Sequence, residues 1–173
     1  MDFVLNEEQV LIQNMVREFA EQKIKPIAAE VDKNHRFPKE TVKMMGDLNL
    51  FGLAIPEEYG GTGVDTIAAC VAYEEVARVC ASHATIISVH GMATKPIYYF
   101  GNEAQKKKYL PDLCSGKKIG CFCLTEPGAG TDAAAQASRA VKDGDKWVIN
   151  GSKVFITSGS EGGTYVVFVM TSP

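Results

Sequence analysis

Residues 121–132, CFCLTEPGAGTD, mark the point at which the sequence changes from helical to strand-like patterns. The residues from Ile119 to Leu124 predict a short strand, and the glycine-rich turn after it is typical of a backbone that comes close to a ligand. Helical spacing of apolar residues precedes this stretch, and hairpin signals follow it. We therefore expect an α+β fold, in which an all-helical domain of residues 1–116 is followed by residues 117–173, the first and incomplete part of an antiparallel β-domain.

Start signals stand before the segments with helical periodicity in the first 116 residues. Asn6 with Gln9, and Asn102 with Gln105, have the spacing of a capping box. Residues 83–100 are apolar nearly all round, which predicts a central, buried helix. The predicted helices run from Asn6 through Val31 with a kink or break at Pro26, from Pro38 to about Asn49, from the cap Asp65 through Val79, over residues 83–100, and from Asn102 to about Cys114.

Two dipeptides predict tight hairpins in the second half of the chain. Asp143-Gly144 and Asn150-Gly151 are typical of two-residue hairpin turns, whose central residues need positive φ. The predicted strands therefore cover residues 137–142, 145–149 and 152–157 as an antiparallel meander, with a further strand over 164–170, TYVVFVM.

Composition and charge exclude several classes of protein. The net charge of −3 and the pI near 5.6 do not fit a nucleic-acid binder or a polybasic membrane surface. No run of about 18 apolar residues occurs, so we expect no membrane insertion and a cytoplasmic location. Five cysteines without C-x-x-C spacing, and the histidines His83 and His90 about 10 Å apart along a helix, predict no metal site.

The glycine pattern of residues 128–133, GAGTDA, matches the G-x-G-x-x-A fingerprint of dinucleotide-binding loops only superficially. That fingerprint belongs to a strand–turn–helix unit of a parallel sheet, whereas hairpin signals follow here. No lysine follows the glycines as in a phosphate loop, and the sequence contains no G-x-S-x-G. Two interpretations remain open: a ligand loop rich in backbone donors with the hydroxyls of Thr125 and Thr131, or an ordinary tight turn.

A second stretch, KVFIT at residues 153–157, carries an aromatic ring and a hydroxyl. In a strand, alternation would place Phe155 and Thr157 on one face. An apolar ring beside a hydrogen-bond donor suits a planar heterocycle, and an aromatic core residue beside a strand threonine is the alternative.

These stretches together resemble the acyl-CoA dehydrogenase family. The segments that carry the resemblance are TEPGAGTD at 125–132, WVINGSKVFIT at 147–157, EEYGGTG at 57–63 and FGNEAQKKKYL at 100–110. Thr131 and Phe155 stand where many members have serine and tryptophan, and they make the chain most similar to bacterial butyryl-CoA, or short-chain, dehydrogenases. The resemblance covers the whole chain and implies the N-terminal portion of such a protein, without the family's C-terminal helical bundle.

The resemblance implies FAD as the cofactor and a site that flavin and acyl-CoA share. The implied cofactor-binding residues are Phe122, Cys123, Leu124, Thr125, Gly130, Thr131, Phe155, Ile156 and Thr157. The implied substrate-binding residues are Thr131, Thr85 and Ser88, of which the last two lie on the helix that would form the floor of the acyl pocket. Glu126, within the first motif, is expected to be structural.

The implied reaction is the α,β-dehydrogenation of a short-chain fatty acyl-CoA to a trans-2-enoyl-CoA, with electrons passing to an electron-transfer flavoprotein. The catalytic carboxylate of the family lies beyond Pro173, so we expect this chain to carry no catalytic residue and to be inactive alone. The full-length protein is expected to form a homotetramer. The alternatives are an acyl-CoA oxidase-type relative and a truncated, non-catalytic fragment that binds flavin or a partner.

Overall fold

The computed structural model describes residues 4–171, with helices in the first part of the chain and strands in the second. The helices of this part are α1, Glu7–Phe19; α2, Lys25–Lys33; α3, Lys39–Asp47; α4, Thr66–Ala77; α5, Ala81–Phe100; and α6, Glu103–Cys114. The strands are β1, Gly120–Cys123; β2, Arg139–Asp143; β3, Lys146–Asn150; and β4, Thr164–Val167. This order confirms the expected α+β class. The outer ends of the two expected domains, residues 1–3 and 172–173, lie outside the described residues.

The helix starts follow the capping signals of the sequence. Asn6 accepts a hydrogen bond from the N–H of Gln9 at 2.8 Å, and its own N–H donates to the Gln9 side chain at 3.0 Å. Asn102 and Gln105 make the same pair of bonds at 2.9 Å each. Each box satisfies two backbone donors of a first turn, so the predicted starts of α1 and α6 are confirmed.

The chain between α1 and α2 forms one wide π-helical turn, Ala20–Ile24, which ends two residues before Pro26. In that turn the N–H of Lys25 bonds to the carbonyl of Ala20, five residues back. Proline has no N–H to donate and crowds the preceding turn of a regular helix. The helical path nevertheless continues to Lys33, so the predicted kink or break takes the form of a local widening.

The apolar face of α1 packs on α4, and the core between them extends to α3 and α5. Its largest fully buried side chains include Val16, Ile24, Met45, Leu50, Val76 and Ile87. Glu75 of α4 is only 3% exposed and pairs with Arg17 of α1 at 2.6 Å and with Arg78 at 3.2 Å. The buried carboxylate therefore has the charged partners that such burial requires.

Helix α5 holds the helical part to the strands, because it contacts α4, α6, β1 and β4. Ile87, His90 and Ala93 are buried on its inner side, whereas Tyr99 and Phe100 are 65% and 87% exposed. The prediction of a helix buried all round is therefore wrong for one face of α5. The neighbouring elements cover the face that holds Ile87, His90 and Ala93.

The strands form two separate pairs in the described part of the chain. β2 and β3 pair antiparallel, with Asp143 opposite Lys146, and the turn residue Gly144 has a φ of 58°. A hairpin therefore forms where the first was predicted, but its two-residue turn is Gly144-Asp145, one residue later than expected, and only Gly144 has a positive φ. β1 instead pairs in parallel with β4, with Gly120 opposite Thr164. The expected antiparallel arrangement thus holds for β2 and β3 and is wrong for β1 and β4. The crossover between β1 and β4 contains this hairpin and no α-helix, unlike a βαβ unit.

The second predicted hairpin is wrong, because residues 151–156 belong to no strand in the structure. Gly151 lies against Ser138 so closely that a Cβ would overlap the serine side chain, and Phe155 has a left-handed φ of 57°. The N–H of Val154 donates to the carbonyl of Thr125 at 2.9 Å. Single contacts to the glycine-rich turn therefore replace the expected strand ladder over 152–157.

Candidate functional site

The glycine-rich turn, residues 125–131, is a tight hairpin with an exposed tip. Glu126 and Ala129 exchange backbone hydrogen bonds of 3.0 and 3.1 Å across Pro127-Gly128. A Cβ at Gly128 or at Gly130 would meet no atom within 4 Å, and neither residue has a left-handed φ. The protein's own packing therefore does not require glycine at these two positions. A ligand lying against the backbone would require it, and this favours the ligand-loop interpretation over an ordinary turn.

A buried ion pair holds the base of this turn. The Lys153 ammonium lies 2.7 Å from the Glu126 carboxylate, and the two side chains are 10% and 6% exposed. The same ammonium donates to the carbonyl of Leu124 at 2.8 Å and to the side chain of Gln136 at 3.1 Å. One side chain thus joins the end of β1, the glycine-rich turn and the approach to β2.

The Glu126 carboxylate has two further donors. The N–H groups of Ala137 and Ser138 donate to it at 2.6 and 2.9 Å. The hydrogen bond from Lys153, followed by those from Ser138 and Ala137, lowers the pKa of Glu126 to about 2. Glu126 therefore stays ionised and fully bonded, which fits the structural role expected for it.

The remaining residues of the first motif lie at different depths. Cys123 is buried, and its carbonyl accepts from the N–H of Phe168 at 3.1 Å. Phe122 is half-buried, and its ring centroid lies 4.9 Å from that of Phe168. Leu124 and Thr125 are half-buried, whereas Gly130 and Thr131 are exposed at the end of the turn. The hydrogen bond from Val154 to Thr125 brings the two motifs of the sequence side by side.

The second motif reaches the helical part of the chain. Ile156 and Thr157 are half-buried and line a cleft of about 580 Å³ that Thr85 and Ile86 of α5 also line. Phe155 is 92% exposed. Because residues 151–156 form no strand, the alternation that placed Phe155 and Thr157 on one face does not apply. The core alternative for Phe155 fails too, since its ring lies in the open.

The two predicted pocket-floor residues share one cleft, and only Thr85 also lines the cleft of the second motif. Thr85 lines the cleft with Thr157, and its hydroxyl donates to the carbonyl of Ala81 at 2.9 Å. Thr85 also lines a second cleft, of about 430 Å³, together with Ser88 and with Tyr73 of α4. The structure therefore brings Thr85 to the second motif and leaves Ser88 on the side that faces α4.

Sequence reasoning missed Lys153 and Ser158. The sequence contained a signal for Lys153. This lysine precedes the apolar Val154, and a lysine that is buried among apolar residues needs a charged partner. Ser158 has a φ of 59°, lines the cleft with Thr157, and its buried hydroxyl has no hydrogen-bond partner among residues 4–171. Its left-handed backbone is not predictable from a serine, which only rarely adopts it.

Residues 4–171 hold no group of three or more acidic, histidine or cysteine side chains arranged to bind a metal ion. None of their helices is long and apolar enough to cross a membrane.

Family models match both parts of the chain. The model described as acyl-CoA dehydrogenase, N-terminal domain, matches residues 6–117. The model described as acyl-CoA dehydrogenase, middle domain, matches residues 121–173. The chain belongs to the acyl-CoA dehydrogenase family. The glycine-rich turn and Lys153 of this dehydrogenase family member both lie within the residues that the middle-domain model matches.

The relatives of the chain include a short-chain dehydrogenase, a butyryl-CoA dehydrogenase and a glutaryl-CoA dehydrogenase. The short-chain specific acyl-CoA dehydrogenase of Clostridium acetobutylicum is 50% identical over 172 residues, which are 99% of this chain and 45% of that protein. The structure of butyryl-CoA dehydrogenase from Megasphaera elsdenii superimposes with a TM-score of 0.95 at 39% identity, over 100% of this chain and 46% of that one. A glutaryl-CoA dehydrogenase from Mycobacterium smegmatis, solved in complex with FADH2, superimposes with a TM-score of 0.93 at 32% identity, over 97% of this chain and 44% of that one. The chain spans about half the length of the relatives it matches.

Proposed function

We propose that this chain is part of a flavoenzyme that carries out the FAD-dependent α,β-dehydrogenation of a short-chain fatty acyl-CoA to a trans-2-enoyl-CoA. The observation that carries the proposal is the glycine-rich turn, which is held at its base by a buried ion pair and open at its tip. Family membership supports it, and so does the similarity to a short-chain specific dehydrogenase.

The residues present fit a flavin. The open backbone at Gly128 and Gly130 and the exposed Thr131 suit the diphosphate part of FAD. Leu124, Thr125 and Thr157 offer polar groups for the ring edge, and Phe155 offers an exposed apolar ring beside them. The proposed cofactor-binding set is Phe122, Cys123, Leu124, Thr125, Gly130, Thr131, Phe155, Ile156 and Thr157. FAD would supply the redox step, and these residues would bind and orient it.

The acyl-CoA would lie between the flavin site and α5. Thr85 and Ser88 are proposed to limit the acyl pocket, and Thr131 to contact both the thioester arm and the cofactor. Thr85 has the better support, because it shares a cleft with Thr157. We assign no catalytic base to this chain. Glu126, the buried one of the two carboxylates in the first motif, is fully used by Lys153 and two backbone donors.

Further proposals concern the whole protein. Residues 1–116 form the helical domain, and residues 117–173 form the first part of the β-domain. The full-length protein is a cytoplasmic homotetramer that passes electrons to an electron-transfer flavoprotein. These proposals rest on the resemblance of both motifs to the family.

The test uses the full-length protein that carries this chain, with FAD bound. Anaerobic addition of butyryl-CoA is expected to bleach the visible flavin absorbance, and electron-transfer flavoprotein is expected to restore it. Flavin that butyryl-CoA and longer acyl-CoAs leave oxidised would refute the dehydrogenation. Rapid oxygen consumption with release of hydrogen peroxide would favour the oxidase-type alternative. The 173-residue chain alone is expected to show no turnover, and turnover would show that a base lies within it.

A further inference from the structure

We propose that Lys153 and Glu126 are positioning residues for the flavin, which hold the glycine-rich turn in its binding conformation before the cofactor arrives. This inference rests on the proposed function, because it assigns the turn to FAD. Neither side chain is among the residues proposed to touch the cofactor. Their effect is exerted through the backbone of residues 124–126.

The ammonium of Lys153 is fully used by the fold. An ammonium has three N–H donors, and Lys153 has an acceptor for each in Leu124, Glu126 and Gln136, at 2.7 to 3.1 Å. Two of these acceptors flank Thr125: Lys153 bonds the peptide carbonyl of Leu124 on one side and the side-chain carboxylate of Glu126 on the other. A residue that only balanced charge would not need three acceptors from two segments of the chain.

The Glu126 side chain completes the link from the other direction. It accepts from the N–H groups of Ala137 and Ser138, which precede β2. The turn is thus tied to the chain before β2 through Glu126 and to the second motif through Lys153. Removing Lys153 breaks the link to the second motif and leaves the buried charge of Glu126 without its ionic partner, which is strongly destabilising.

The contacts lie on one side of the turn only. Glu126 is 6% exposed on the inner side, whereas Pro127, Gly128 and Gly130 are exposed at the tip and a Cβ at either glycine would meet nothing. Because the inner side of the turn is fixed by hydrogen bonds and its tip is exposed, the turn does not have to become ordered when a ligand binds. Preorganisation of this kind raises affinity by removing the ordering cost from the binding step.

The experiment measures FAD affinity of the full-length apoprotein by flavin fluorescence titration. Lys153→Met keeps the length of the side chain and removes all three hydrogen bonds, and we expect it to raise the Kd at least about tenfold. Lys153→Arg keeps the charge and should recover part of this loss. Lys146→Met is the matched control, since Lys146 is an exposed lysine of β3, and its Kd should stay within about twofold of wild type.

A second readout separates positioning from stability. At saturating FAD, the visible absorption spectrum of Lys153→Met should differ from that of wild type, because the backbone beside Thr125 no longer has a fixed orientation. Far-UV circular dichroism of the apoproteins checks that the helices remain folded. If Lys153→Met does not fold, Glu126→Gln is judged by the same two readouts.

The outcomes are distinct. A wild-type protein that binds no FAD overturns the proposed function and this inference with it. A wild-type protein that binds FAD, with a Lys153→Met variant whose Kd lies within twofold and whose bound spectrum is unchanged, overturns this inference alone.

Discussion

Lowering the pH from 7 to 5 will weaken the fold through His90. This histidine of α5 has no exposed surface, its Nδ1 accepts the N–H of Gly120 at 3.0 Å, and its ring lies 4.7 Å from that of Phe51. Burial lowers the pKa of His90 from the ordinary value of 6.5 to about 4. The unfolded chain therefore takes up a proton first as the pH falls, and the stability present above pH 6.5 is lost on the way down to about pH 4.

The size of the loss follows from the two pKa values. The pKa of His90 is 6.5 in the unfolded chain and about 4 in the folded one. Proton linkage therefore lowers the free energy of unfolding by about 2 kcal/mol between pH 7 and pH 5. The carboxylate of Glu126 has a pKa of about 2, so the stability that depends on its charge is lost only below its ordinary pKa of 4.5. The window from pH 7 to pH 5 thus reports mainly on histidine. Burial also lowers the pKa of His83, so a variant is needed to separate the two.

The assay is urea unfolding followed by far-UV circular dichroism at pH 7 and at pH 5, for wild type and for His90→Asn. Asparagine offers an oxygen near the position of Nδ1 and does not titrate. The variant should be less stable at both pH values, and the difference between its two unfolding free energies should be smaller than in wild type by about 2 kcal/mol. An equal pH-dependent loss in the two proteins would show that His90 takes no part.

Two further predictions concern a glycine and the cysteines. Gly61→Ala should destabilise the helical part by more than about 2 kcal/mol in urea unfolding, because its Cβ would overlap the carbonyl oxygen of Ile55, whereas Gly128→Ala, at a position with no neighbours, should change it by less than about 0.5 kcal/mol. Iodoacetamide at pH 8 should label Cys70 first, since Cys70 is exposed and burial raises the pKa of Cys114 and Cys121 to about 11. Peptide mass mapping measures the order, and early labelling of Cys114 or Cys121 in folded protein would contradict it.

Features with local causes were predictable from the sequence. The capping pairs at Asn6 and Asn102 are made within one turn of helix, so four neighbouring residues contain the whole signal. The same holds for the hairpin at Gly144. The parallel pairing of β1 with β4 has no such local signal, because strand order and direction depend on the path of the chain between them.

The site shows the same division. The two motifs identified the segments that meet, and the hydrogen bond from Val154 to Thr125 joins them. The prediction of a strand over residues 152–157 is wrong, because the backbone has left-handed φ values at Phe155 and Ser158. Those turns accompany the burial of Lys153 against Glu126, a tertiary contact between positions 27 apart in the chain. A single sequence contains no measure of that contact.

The parallel pairing of β1 with β4 also closes the loop that carries the site. Gly120 pairs with Thr164, so residues 124–163, between the two strands, form one closed loop of the chain. That loop contains the glycine-rich turn, the β2–β3 hairpin and Lys153. Closing so long a segment has an entropic cost that short local turns do not carry. Both motifs therefore lie in one long loop, which is closed by the four ladder positions from Gly120 to Cys123 and by the bonds that join Ser138 and Ala140 to Met170.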